Sequence, residues 1–480
     1  MAGDPIPAGN RSISSLWRSA IAHRCRNAGW ALLLSVIILS GCADQKPHTV
    51  DGRLHLKYWA VWSGFELAAM QSVVDLFNQS QDKLFVELLS ISQLERKLLV
   101  ATAGGNPPDI ASLAYEFLPY FAQKNAILPL DGYVERLGVH KDDFIPVFWE
   151  QCLYDNYLWG LPIMGSAIAL HYNKAHYREA GLDPNKPPVT IAELIEIENK
   201  INRLKDDQYE RLAFLPSVSV PEWWPYYPPW FFGGKLWNGK DKLTLNDPLC
   251  VEAYQWVADY PTRLGPGRVQ PLRAGFGNLF ASPQNPFLAG KLTMIFQGSW
   301  MANFVDKYAP KLEFGAAPMA VKTPDLYGTV IVEADTIFIP AGSKHPEASF
   351  EFLRFLTSQK ANEMLCHGFR CISPKRERSE EFMRNHLNPN IRMFDSLVMG
   401  EKTCYAPKIS MWYEVLDEIA VVFDKVWLHQ ATPYDALTEA QNRLQVRLDQ
   451  EIETWNLVSP ARHKEWDAFI EKSRKGDKVE

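Results

Sequence analysis

Between Leu54 and Trp59 the chain reads Leu-His-Leu-Lys-Tyr-Trp, an apolar and polar alternation with the two-residue period of a half-buried strand. From Phe65 to Phe77 the apolar positions switch to helical spacing, and Leu84-Phe-Val-Glu-Leu-Leu89 predicts a second strand followed by a helix to Ala103. The cluster Ala103-Gly-Gly-Asn-Pro-Pro-Asp-Ile110 is a turn that leads into a further apolar strand. Strands alternating with helices in this way predict an α/β fold built on a mainly parallel sheet.

Several later helices declare their starts. Thr190-Ile-Ala-Glu193 is a capping-box pattern, in which side chains satisfy backbone N–H groups left free at a helix start. Asp247-Pro248 and Thr432-Pro433-Tyr434-Asp435 each set proline at the first helical position behind a capping side chain. Ser343-Lys-His-Pro346-Glu347 opens an apolar-faced helix that contains Phe352, Leu353, Phe355 and Leu356. The charged tail from Ser473 is expected to fray. The chain has no internal repeat.

The N-terminal pattern is of another kind. Arg18, Arg24 and Arg26 precede an apolar run from Ala28 to Leu39, which small residues then close. A basic region, a short apolar core and small residues before a cleavage point make a secretory signal. The run is too short for a permanent span, which needs about 20 residues. Its end, Leu39-Ser40-Gly41-Cys42, resembles the lipobox of bacterial lipoproteins. Residues 1–41 are therefore expected to be cleaved, Cys42 to be lipidated, and residues 42–52 to form a polar tether. This predicts an extracytoplasmic protein held to the membrane by lipid, in the periplasm or at the cell surface.

Composition narrows the partners. Hydrophobic residues make up 47% and charged residues 22%, the balance of a globular protein long enough for two or three domains. The signal segment carries Arg11, Arg18, Arg24 and Arg26 against Asp4, so its removal takes the net charge from −6 to about −9. An acidic body without basic clusters argues against nucleic acid. Beyond the signal and Cys42 remain Cys152, Cys250, Cys366, Cys371 and Cys404. An oxidising compartment permits a disulfide, with Cys366 to Cys371 or Cys404 favoured, and isolated buried thiols are the equal alternative. No Cys or His spacing suits zinc, so no metal or cofactor is expected.

The segment Trp223-Trp-Pro-Tyr-Tyr-Pro-Pro-Trp-Phe-Phe232 is compositionally extreme. Its prolines forbid a regular helix or central strand. Most of these rings are expected to pack, and two or three to face a ligand, because a ring face suits the C–H face of a sugar. Trp300 and Trp412 also lie beside turns. The chain lacks a G-x-S-x-G elbow, an H-E-x-x-H, a P-loop and a dinucleotide fingerprint. With 56 acidic residues, paired carboxylates for glycoside hydrolysis carry no signal at this level.

Taken in order, five segments resemble the extracellular solute-binding proteins of carbohydrate ABC importers, the maltose-binding type (family 1) in lipoprotein form. They are Gly104–Ile110; Leu158-Trp-Gly-Leu-Pro162 continuing through His171-Tyr-Asn-Lys174 to Ala180-Gly-Leu-Asp-Pro184; Phe287-Leu-Ala-Gly-Lys291 through Trp300; Phe314–Met319 with Ile339–Pro346; and Ile409-Ser-Met-Trp-Tyr413. The resemblance implies an α/β, two-lobed periplasmic-binding-protein-like fold with a ligand cleft between the lobes. Crossing strands are expected near Met164–Ser166, near Ile331–Asp335 and around Arg376–Asn385. The N-terminal lobe would comprise residues 53–164 and 333–380, the C-terminal lobe residues 165–332 and 381–480.

Site residues follow from the same resemblance. Trp300 and Trp412 match sugar-stacking tryptophans, and Trp224 and Tyr227 lie in the aromatic platform segment. Trp62, Ser63 and Glu66 follow the first strand, Tyr115 and Glu116 occupy the second such loop, and Asp335 sits at a crossing. Where maltose-binding members carry a glutamate after Pro162-Ile163, this chain has Ser166, so maltose is not implied. The reading is a tethered monomeric receptor, not an enzyme, that closes around a di- or oligosaccharide and delivers it to an ABC permease. One alternative is a polyol-phosphate receptor, with Arg370 and Arg273 as candidate phosphate ligands. A secreted carbohydrate-active enzyme is the other.

Overall fold

A computed structural model describes residues 49–50, 52–216, 224–276 and 281–476. The signal segment and Cys42 lie outside the described residues. Residues 1–51 and residues 52–480 are separate units, and the fold is that of the second.

The predicted alternation is present. Strand β1 (Arg53–Ala60) leads to a helix, Gly64–Ser80, and β2 (Leu84–Ser90) to another, Leu94–Ala103, before β3 (Ile110–Ala114). β1 lies between β2 and β3 and runs parallel to both. The Gly64–Ser80 helix buries Met70, Val73, Val74 and Phe77, one stripe at helical spacing, against this layer.

Two long strands then carry the sheet onward. β4 (Leu161–Asn173) is buried along its whole length, and β7 (Val330–Phe338) runs antiparallel beside its first half. β7 also pairs with β3, whereas the second half of β4 pairs with β5 (Met294–Gly298) and β6 (Phe314–Ala317). A two-residue strand, β8 (Thr403–Cys404), lies parallel to the start of β7. The fold is α/β and two-lobed, with β4 and β7 belonging to both ends of one sheet. The expectation of a mainly parallel sheet is corrected: every pairing of β4 is antiparallel, because the chain leaves along β4 and returns along β7 instead of making helical crossovers.

Two further expectations change and one open alternative is decided. The Arg376–Asn385 stretch contains a helix, Glu380–Asn385, capped by Ser379, and not a strand. Of the two alternatives for the cysteines, the free thiols are found: all five described cysteines are unbridged, and Cys366 and Cys371 are each buried, Cys366 with its thiol beside the Ile163, Ile372 and Asn362 oxygens. The tail does not fray at Ser473. A single helix runs from Pro433 to Lys475 and ends on Gly476 in the left-handed conformation.

Helix caps follow the sequence in part. The Thr190 and Thr432 hydroxyls accept the Glu193 and Asp435 N–H groups, whereas Asp247 precedes its helix without a side-chain cap. The Pro433–Lys475 helix packs at its start on helices Trp412–Trp427 and Pro248–Leu264, and at its end on helix Asp131–Leu137. There Arg136 donates to the Ser473 carbonyl, Arg474 pairs with Glu135, and Trp466 meets Trp159 edge-on at 4.6 Å. Its last turns therefore sit on residues expected in the N-terminal lobe.

Candidate ligand-binding site

The floor of the principal cavity is made by register. In β7, Glu333 and Asp335 are two residues apart and share a face, as strand geometry requires. Glu333 lies opposite Ser166 of β4, and Asp335 lies between Met164 of β4 and Ala114 of β3. Cross-strand neighbours stand about 5 Å apart, so these side chains form one polar strip.

The walls come from chain reversals at strand ends. β1 ends at Ala60 and delivers Trp62, which is 6% exposed and meets Phe369 edge-on at 5.4 Å, and then Glu66 in the first helical turn. β3 ends in a 3-10 turn, Tyr115–Phe117, that directs Glu116 and Phe117 to the cavity. Phe117 stacks on Tyr413 with ring centres 4.4 Å apart. β5 ends at Gly298, and Trp300 follows. A Cβ on Gly298 would stand 2.2 Å from the Trp300 ring, so glycine lets the indole lie against the strand end. Trp412 opens helix Trp412–Trp427 and meets Tyr226 edge-on at 5.3 Å.

The resulting cavity has a volume of about 440 Å³. Of the residues expected at the site, Trp62, Glu66, Glu116, Ser166, Trp300, Asp335 and Trp412 line it. Ser63 does not: it is exposed at the start of the Gly64–Ser80 helix. Tyr115 does not: it is buried, and its hydroxyl accepts the Ala406 N–H at 2.7 Å. Tyr227 does not: it is buried and donates to Glu333 Oε1 at 3.0 Å. Trp224 lies in a 3-10 turn and its side chain is outside the described residues. The aromatic segment folds as two short helical turns, Trp224–Tyr226 and Pro228–Phe231. It presents Tyr226 where Tyr227 was expected, because a helical turn rotates successive side chains by about 100°.

Glu333, Tyr226, Phe117 and Tyr413 are the main additions. Glu333 was signalled by its two-residue spacing from Asp335 in a strand. The others neighbour residues already chosen, so the loops were located and their registers were not.

Burial dominates the electrostatics. It pushes the Asp335 carboxyl up to about 6 and, with Asp335 adding its charge, the Glu66 carboxyl up to about 7. Glu333 rises to about 8 for the same reason, opposed by the Tyr227 hydrogen bond. Burial and the neighbouring Glu333 hold the Glu116 carboxyl well above the ordinary range. No Lys, Arg or His is among the lining residues described. Arg370 instead pairs with Asp306, and Arg273 with Asp424, so both candidate phosphate ligands are engaged elsewhere. Such a site can stack flat rings and accept hydrogen bonds, and it repels anions.

A cleft of aromatic walls and carboxyl acceptors between two lobes, joined by strands that run through both, defines a solute-binding protein. Residues 66–363 match the family of bacterial extracellular solute-binding proteins, and the chain belongs to that family. A binding protein of Brucella abortus (strain 2308) is 25% identical over 415 residues, covering 86% of this chain and 96% of that one. The maltotriose-binding protein of Pyrococcus abyssi (strain GE5 / Orsay) is 23% identical over 306 residues, covering 61% and 60%. Among solved structures, CpMnBP1 with mannobiose bound has a TM-score of 0.71 at 25% identity, over 81% of this chain and 98% of that chain. No described helix is long and apolar enough to cross a membrane.

Proposed function

We propose that this protein is the receptor of a carbohydrate ABC importer, which captures a di- or oligosaccharide between its lobes and presents it to the permease. The observation that carries this reading is the cavity itself. Trp62, Trp300, Trp412 and Tyr226 line it with aromatic rings beside Glu66, Glu116 and Asp335, whose oxygens can accept hydrogen bonds from hydroxyls. Ser166 supplies a smaller polar group on the floor. A relative named for maltotriose and a structural neighbour with mannobiose bound support the sugar class.

Lipidation of Cys42 would keep the receptor within diffusive reach of its permease. Residues 53–164 with 333–380 form one lobe in this reading, and residues 165–332 with 381–480 the other, with the end of the Pro433–Lys475 helix reaching across to pack on the first.

The test is a thermal-shift screen of the purified protein against neutral sugars and sugar phosphates. A ligand at a hundred times its Kd raises stability by about 2.7 kcal/mol. A shift produced by phosphorylated ligands alone would sink the reading, as would turnover of the bound sugar to product.

A further inference from the structure

The lining is one-sided in charge to a degree that binding a neutral sugar does not require. Glu66, Glu95, Glu116, Glu333 and Asp335 border the cavity, and no cation among the described residues lines it. None of the influences on Glu66, Glu116, Glu333 or Asp335 comes from an arginine, lysine or histidine. Glu116 Oε2 is buried without a hydrogen-bond partner. A carboxyl oxygen removed from water and left unbonded is costly, and the cost is recovered when a ligand supplies a donor. Neutral hydroxyls supply donors but do nothing to favour the ionised carboxylates. An ammonium group supplies both.

The aromatic walls act in the same sense. The faces of Trp62, Trp300, Trp412, Tyr226 and Phe117 carry negative electrostatic potential, which attracts an organic cation. A metal ion fits less well: among the described residues no three carboxylate, thiol or imidazole groups converge closely enough to hold one.

Resting on the sugar-receptor reading, we infer that the cavity is selective for an amino sugar, its protonated amine seated among Glu116, Glu333 and Asp335 and its ring against the tryptophans. A cation there favours the ionised carboxylates, so its binding expels protons from the cleft. Glu66 on its helix, Glu95 on the next, Glu116 on the 3-10 turn and both acids of β7 are the charged groups that face it.

The experiment titrates matched pairs into the purified protein by calorimetry: glucosamine with glucose, galactosamine with galactose, mannosamine with mannose, and the glucosamine disaccharide with cellobiose. Over about pH 5.5 to 7 a sugar amine keeps its proton. At least one amine is expected to bind about tenfold or more tighter than its hydroxyl partner, to lose that gain on N-acetylation, and to release protons, read from the buffer dependence of the heat. Glu116→Gln and Asp335→Asn keep size and an acceptor oxygen. They are expected to bring the ratio of amine to hydroxyl-partner affinity down towards one, and a ratio that stays at its wild-type value in both variants overturns the inference. Neutral partners that bind as tightly as their amines in every pair that binds overturn the inference and leave the receptor reading standing. Binding of neither kind overturns both.

Discussion

The phenol of Tyr227 donates a 3.0 Å hydrogen bond to Oε1 of Glu333, tying the proline-rich aromatic segment to the strand that carries two of the cavity's acids. Tyr227 is itself walled in by Tyr226, Trp230 and Phe296, so the donor is held in place by packing on three sides. Tyr227→Phe keeps that packing and removes the donor from a carboxyl that is only 9% exposed. A loss of about 1–3 kcal/mol is expected in thermal melts, with the Glu333 carboxyl rising further because the bond that opposed its upward shift is gone. An unchanged melting temperature would show that the pair contributes nothing.

Stability of the ligand-free protein should fall as pH rises from about 6.5 to 8, above the range in which His171, His176 and His386, pushed down to about 4 by burial, act in the opposite sense. Asp335, Glu66 and Glu333 titrate near 6, 7 and 8 in the folded chain, above the ordinary carboxyl range of about 4. Folding therefore binds protons in this window, and each carboxyl's contribution is complete below its unfolded value and lost as pH climbs through the folded one. The surface acids Glu135, Glu179, Glu439 and Glu471 have the opposite shift, from arginine and lysine partners, and lose stability only at lower pH. Melting curves across the window test the sign. Glu333→Gln should flatten the upper part, and a melting temperature that climbs towards pH 8 would refute the assignment.

Trp300 and Trp412 line the same cavity and should respond differently to truncation. Trp412 is 1% exposed and wedged against Tyr226, so Trp412→Ala leaves a large void and should cost about 3–5 kcal/mol. Trp300 is half-buried over Gly298, and Trp300→Ala should weaken ligand binding about tenfold or more with a much smaller loss of stability. Melting temperature and calorimetric affinity, measured on both variants, separate the two effects. Equal destabilisation by both substitutions would assign Trp300 to packing alone.

The end of the long C-terminal helix should be a structural requirement. A Cβ on Gly132 would stand 2.1 Å from Ser473 Oγ and 2.4 Å from the Ile470 carbonyl, and the backbone cannot yield as a side-chain tip can. Gly132→Ala is expected to cost about 1–3 kcal/mol and to make residues 455–476 the first site of limited proteolysis. Cleavage there at the wild-type rate would mean that the helix end is not held by this approach.

Local pattern was legible wherever one segment's own periodicity decides the outcome. Leu54–Trp59 alternates and is β1, Phe65–Phe77 has helical spacing and lies in Gly64–Ser80, and Thr190 and Thr432 cap the helices they precede. Trp62, Glu66, Glu116, Trp300, Asp335 and Trp412 follow from the family resemblance, and all but Asp335, which lies within β7, sit beside a strand end or helix start, where chain reversal exposes side chains to a cleft. What no single segment contains is its rotation and its partner. Tyr226 faces the cavity and Tyr227 faces Glu333 because a turn braced by Pro225, Pro228 and Pro229 meets β7 in one orientation. The antiparallel course of β4 and β7, the docking of Ser473 on Gly132, and the convergence of Glu66, Glu116, Glu333 and Asp335 likewise depend on residues far apart in the chain. Their energies belong to packing between segments, and periodicity within a segment carries no record of it.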